Sequence, residues 1–157
     1  MRKVILPVVA IVFCAWIPAA ASYLAINSLL DSLHGALGQQ PIYSVEVEGS
    51  AIVLTHIASG MASCTIRQAD PQTVTLSASI ARLPLGSQKQ LERVAEQISD
   101  FNVSSPVGTL RLDERTGEIR MEHYINASVA PSSAVASVAV RFADVAREQS
   151  ARFSRTM

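Results

Sequence analysis

The stretch Gly108-Thr109-Leu110-Arg111-Leu112-Asp113-Glu114-Arg115-Thr116-Gly117-Glu118-Ile119-Arg120-Met121-Glu122-His123-Tyr124-Ile125-Asn126 decides the fold. Leu110 and Leu112 alternate with Thr109 and Arg111. After the centre, Ile119, Met121, His123 and Ile125 alternate with Arg120, Glu122 and Tyr124, the two-residue period of half-buried strands. The pattern predicts a β-hairpin. A four-residue loop within residues 113–118 puts Gly117 at the left-handed position that glycine adopts without strain. That turn fixes the register: Leu112 faces Ile119 and Leu110 faces Met121. Arg111 then falls opposite Arg120, a like-charge pair that needs the diagonal carboxylates Glu122 and Asp113 as relief.

Outward from the hairpin, helical and extended periods divide the chain cleanly. Upstream, Leu91, Val94, Ala95, Ile98 and Phe101 recur at helical spacing behind a Ser87/Gln90 capping box, predicting a helix over 88–101. Downstream, Pro131 suits the first turn of a helix whose inward line is Val135, Val138, Phe142, Val145 and Phe153. Arg141, Asp144, Arg147 and Glu148 fall on its wet side, and Ala136 and Val140 lie off the stripe. Thr73 to Ile80 reads as a strand with Val74, Leu76, Ala78 and Ile80 inward and Thr73, Thr75, Ser77 and Ser79 outward. Residues 42–48 and 51–57 form a further hairpin around Gly49-Ser50, and Cys64 to Arg67 reads as a short strand or extended turn. Ile26, Leu29, Leu30, Leu33, Ala36 and Leu37 give a first helix over 24–37, stopped by Gly38. The expected fold class is α+β, an antiparallel sheet with helices packed on one face, in the order α-β-β-(β)-β-α-β-β-α.

The front of the chain carries an address. Arg2 and Lys3 precede an uncharged run from Val4 to Ile17 and then Pro18-Ala19-Ala20-Ala21-Ser22, the pattern of a signal peptide cleaved before Ser22. A second reading stays open: an uncleaved inner-membrane anchor in residues 4–30, because apolar residues continue through Ile26 toward the roughly 20 that a span requires. Phe13 before Cys14 argues against a lipidation site, which needs a small residue there. The remaining residues 22–157 read as one domain, periplasmic or secreted. The chain has formal net charge zero, and residues 1–21 hold two basic and no acidic side chains, so the remainder has 11 basic against 13 acidic and a charge of −2. That balance excludes a polybasic partner for nucleic acid. Only Cys64 survives cleavage, so the domain relies on burial and not on an internal disulfide.

The order of elements resembles the YbjN family, described as bacterial sensory-transduction regulators, whose fold is similar to that of class I type III secretion chaperones. The residues that carry the likeness are Phe101-Asn102, then Gly108-Thr109-Leu110-Arg111-Leu112-Asp113, then Gly117-Glu118-Ile119-Arg120-Met121-Glu122. Val103-Ser104-Ser105-Pro106-Val107 stands where that family often has a basic and aromatic stretch. The resemblance implies a small α+β binding or chaperone-like domain of a kind often expected to dimerise, with no catalytic residues to carry over.

The side chains that bear chemistry are scattered. His34, His56 and His123 have no spacing suited to a metal, Cys64 has no histidine at catalytic spacing, and no glycine loop cradles a phosphate. Glu46 and Glu48 share a strand face, which a solvated sheet surface explains better than paired catalytic carboxylates do. Catalytic, cofactor-binding and metal residues are therefore assigned to none, and no cofactor is expected. His123 shares the Ile119 and Met121 face, as a hydrogen-bonded core histidine or as the polar end of a groove. Two functions remain open. One is an exported non-catalytic module that holds a protein or peptide and forms a homodimer through the sheet or its edge, with Thr75, Ser77 and His123 at the groove or interface and Gly117 as the structural turn. The other is a small periplasmic enzyme or ligand-binding protein with a pocket between sheet and helices near His123.

Overall fold

The computed structural model describes residues 28–84 and 88–156. The export segment with Cys14, the start of the first helix at 24–27 and Ser87 of the capping box lie outside the described residues. Helix α1 covers 28–37, and the Gly38 N–H donates to the His34 carbonyl at 2.9 Å where it ends. Strands β1 (Tyr43–Glu48), β2 (Ala51–His56), β3 (Met61–Asp70) and β4 (Thr73–Arg82) follow. Helix α2 (Gln88–Ser104), strands β5 (Thr109–Asp113) and β6 (Glu118–Asn126), and helix α3 (Ser132–Thr156) complete the domain.

All neighbouring strands run antiparallel, in the order β1-β2-β3-β4-β6-β5. The hairpin register is the expected one, with Leu110 opposite Met121, Leu112 opposite Ile119 and Arg111 opposite Arg120. Gly117 stands at φ 70° and Gly49 at φ 60°, the left-handed conformations that these tight turns impose. The relief of the arginine pair differs in part. Arg111 lies 3.8 Å from Glu122, whereas Arg120 turns to Glu118 on its own strand at 2.8 Å. Asp113 is occupied by the turn, where its Oδ1 accepts the Arg115 N–H at 2.9 Å. The backbone donors of the loop are nearer than a side chain across the ladder.

The 61–70 segment is a full ten-residue strand and not a short piece. Bulges between Leu54 and Thr55 on its neighbour β2, and between Gln68 and Asp70 within it, shift the pairing and so break the alternation a sequence reader depends on. Likewise α2 runs three residues past Phe101, because Ser105 N–H still donates to the Phe101 carbonyl at 2.8 Å.

The core lies between the sheet and the helices. Leu30, Leu33 and Leu37 of α1 and Val135, Phe142 and Phe153 of α3 are buried against Ile52, Leu54, Ile66, Val74, Leu76, Leu110, Ile119 and Met121. The expected inward line of α3 holds at Val135, Phe142 and Phe153 and is supplemented by alanines. Ala136, Ala139, Ala143 and Ala146 are buried, whereas Val138 and Val145 are only partly so. Alanines let the helix backbone approach the sheet closely, which rotates the larger valines to the flanks.

Candidate functional site

Helices occupy one face of the sheet, and on β4 the other face is the row Thr73, Thr75, Ser77, Ser79. Register sets its neighbours. Thr75 lies between Arg67 of β3 and Tyr124 of β6, and Ser77 between Thr65 and Glu122. The face is therefore not uncharged, as the β4 residues alone suggest. Glu118, Arg120, Glu122 and Arg111 form an ionic strip on β5 and β6, Glu46 and Glu48 a carboxylate rim on β1, and the small hydroxyl residues a channel between. Tyr124, 56% exposed, stands in the ionic strip with its hydroxyl donating to Glu122 Oε2 at 3.2 Å.

The two edges of the sheet differ in chemistry. At the β5 edge, Asn102 in the last turn of α2 binds Leu110 twice. Its Nδ2 donates to the Leu110 carbonyl at 2.9 Å, and its Oδ1 accepts the Leu110 N–H at 2.7 Å. The side chain occupies the place of a neighbouring strand at Leu110 and blocks that edge there. At the other edge, β1 pairs with β2 alone among the described residues. The helix layer thins there: along the inner face of β1, Tyr43 is buried, Val45 half-buried and Val47 54% exposed. Ile42 and Ile57, joined by an Ile57 N–H to Ile42 carbonyl bond of 3.1 Å, are also exposed. An apolar, unpaired strand edge is the element of a sheet most ready to accept another chain.

His123 lies on the helix side of β6 and is half-buried, and its Nδ1 accepts the Gly108 N–H at 3.3 Å. Burial holds its pKa below the ordinary histidine value. A cleft of about 350 Å³ does lie between the sheet and α3, but His56 and not His123 lines it. Structure therefore separates His123 from Thr75 and Ser77, which belong to opposite faces of the sheet. Cys64 is buried on the inner face, where burial pushes its thiol up to about 12, so it stays protonated at neutral pH and lacks nucleophilic character. His34, His56 and His123 sit on three separate elements, and Glu46 and Glu48 are both exposed. Among the described residues no group of three or more His, Cys, Asp or Glu is placed to hold a metal. No helix among them is long and apolar enough to cross a membrane.

The residue that sequence reading passed over is Asn102. It was legible only as half of the Phe101-Asn102 pair, with no role attached.

No protein-family model matches the chain, and no curated protein matches it in sequence. Solved structures do. The type III secretion chaperone SycH of Yersinia pestis, crystallised in complex with a stable fragment of YscM2, superimposes with a TM-score of 0.52 at 16% identity, over 79% of this chain and 98% of that one. The ExoT–SpcS complex from Pseudomonas aeruginosa gives a TM-score of 0.42 at 10% identity, over 78% and 97%. The chain thus has a type III secretion chaperone-like α+β fold.

Proposed function

We propose that this protein is an exported, non-catalytic chaperone-like domain of the YbjN type, which holds an extended segment of a protein partner along β1 and the adjoining open face of the sheet. The observation that carries this reading is the contrast between the edges. Asn102 blocks β5 at Leu110, while β1 ends the sheet with Val47, Ile42 and Ile57 exposed. SycH, which shares the fold, was crystallised with a fragment of another protein, and that supports a polypeptide as occupant. The same face serves as the contact of a two-fold homodimer, because one self-complementary patch closes on itself. Residues 1–21 direct the chain out of the cytoplasm and are removed before Ser22, leaving residues 22–157 as the single working domain.

The test is site-specific photo-crosslinking from Val47, with Ser133 on the exposed side of α3 as the control position. A discrete adduct from Val47 alone supports the reading, and equal labelling from both positions removes it. Sedimentation then separates self-association from partner binding: the wild type sediments as a dimer, and T75K with S77K as a folded monomer. A wild-type monomer throughout the micromolar range ends the dimer proposal. Export is read from mass and fluorescence. Trp16 is the one tryptophan in the chain, so a processed protein emits from tyrosine only, whereas tryptophan emission with residues 1–21 retained establishes the anchor.

A further inference from the structure

Strand β1 turns its backbone outward at alternate residues, and the ladder to β2 identifies them. The Ile57 N–H donates to the Ile42 carbonyl at 3.1 Å, and Gly49-Ser50 forms a tight turn with Glu48 opposite Ala51. Bonded and non-bonded pairs alternate along antiparallel strands, so Ser44, Glu46 and Glu48 direct their N–H and C=O groups to β2. Tyr43, Val45 and Val47 direct theirs the other way, to the side where no strand pairs among the described residues. Side chains along this edge alternate as well. Val45, half-buried, and Val47, 54% exposed, lie on the helix side, whereas Glu46 and Glu48 are exposed on the open face.

Carboxylates on the other strands are engaged. Glu118 pairs with Arg120 at 2.8 Å and Glu122 with Arg111 at 3.8 Å. Asp70 Oδ1 accepts the Gln72 N–H at 2.8 Å, and Asp113 Oδ1 the Arg115 N–H at 2.9 Å. Glu46 and Glu48 have no cation within ion-pair distance among the described residues. The arginine in line with Glu48 is Arg67, which stands beyond Ala51, two strands or about 10 Å away. Two residues apart on one strand face, the two carboxylates lie about 7 Å from each other and repel. A second copy of the chain does not relieve them. Two β1 strands paired antiparallel about a two-fold axis set the Ser44, Glu46 and Glu48 row against itself, and like charges placed opposite each other destabilise a sheet. Self-contact is thereby left to the Thr75 and Ser77 face. In an added antiparallel strand, Glu46 and Glu48 face the non-bonded positions, where Cα atoms come within about 4.5 Å and a lysine or arginine side chain reaches the carboxylate.

We infer that the segment held by β1 is an antiparallel strand of alternating basic and apolar residues, with two lysines or arginines opposite Glu46 and Glu48 and apolar side chains opposite Val45 and Val47. This occupant rests on the reading of β1 as the binding edge and adds its chemistry.

Fluorescence anisotropy of labelled peptides titrated with the full chain tests it. The peptides share a glycine–serine frame and differ in their cores: Lys-Val-Lys-Val, Thr-Val-Thr-Val, Glu-Val-Glu-Val and the block Lys-Lys-Val-Val. The alternating lysine core binds at least about fivefold tighter than the threonine core and at least about tenfold tighter than the other two. Glu46→Lys together with Glu48→Lys inverts the order, so that the glutamate core binds best. Val47→Pro removes an N–H that β2 does not use, and it abolishes binding of the lysine core while the circular dichroism stays that of the wild type. If the threonine core binds as tightly as the lysine core and Val47→Pro abolishes both, the basic assignment is overturned and the β1 reading stands. Equal binding of the block peptide, or unchanged binding to folded Val47→Pro, places the peptide away from the β1 backbone and overturns the inference. Absence of saturable binding by the lysine core also overturns it, and the Val47 cross-link then decides the β1 reading by itself.

Discussion

Asn102 takes both backbone polar groups of Leu110, donating from Nδ2 to the carbonyl at 2.9 Å and accepting the N–H on Oδ1 at 2.7 Å. A carboxamide has one donor end and one acceptor end, so it copies the backbone of an adjacent strand, and no shorter or singly functional side chain does so. Asn102→Ala leaves both groups of Leu110 without their partner at a part-buried site. The expected loss of stability is about 1–3 kcal/mol, read by urea denaturation, together with concentration-dependent association through the freed β5 edge. Asn102→Asp keeps the acceptor and loses the donor, and falls between. A variant that melts with the wild type and stays monodisperse shows that the edge is closed by something else.

Two glycines separate strain from crowding. Gly117 stands at φ 70°, and Gly117→Val places a β-branched residue in the left-handed region at a cost of about 1–2 kcal/mol. Gly108, at φ 76°, is more constrained, because a Cβ there meets Met121 Cε at 2.8 Å and both Glu122 O and Phe142 Cε2 at 3.1 Å. Gly108→Ala is therefore the more damaging of the two, although alanine is the smaller residue. Thermal melts of both variants check the order.

His123 predicts sensitivity to mild acid. Its Nδ1 accepts the Gly108 N–H and must be unprotonated to do so, and burial holds the folded pKa below the ordinary value of about 6.5. A depressed value means that the folded state favours the neutral ring. The contribution is fully present above pH about 6.5 and is lost as pH falls through the folded value. Stability measured from pH 7.5 to 5 declines in the wild type, and the decline is smaller in His123→Asn.

Tyr43 predicts the opposite limb. Burial first, and its bond to Asp144 second, push its hydroxyl from 10.0 to about 12. A raised value gives stability that is complete below pH about 10 and lost as pH climbs toward the folded value. Tyr43→Phe removes this alkaline loss along with the 2.7 Å bond, and ultraviolet titration of the phenolate in wild type and variant checks it.

Cys64 tests the core directly. Its thiol lies buried among the inner-face residues and is held neutral, so thiol reagents modify it at the rate of domain opening and not at that of a free cysteine. Rapid labelling of the native protein at pH 7 removes this assignment.

The central hairpin was fully legible in the sequence. Alternation of Leu110, Leu112, Ile119 and Met121 with one glycine at the fourth loop position leaves a single register, since a one-residue slip turns the whole apolar set outward. The same logic fixed the β1–β2 hairpin and the inward row of β4. Tertiary structure decided what periodicity cannot encode. Bulges hid the length of β3, because each adds a residue that resets the alternation. Alanine carries too little hydrophobicity to mark a buried stripe, so the share of the α3 packing face held by Ala136, Ala139, Ala143 and Ala146 emerged only when the helix lay against the sheet. The charge pattern of the open face, the Asn102 clasp and the cleft at His56 and Arg147 bring together residues from separate elements. Their distances are set by strand order and helix placement, which local sequence does not specify.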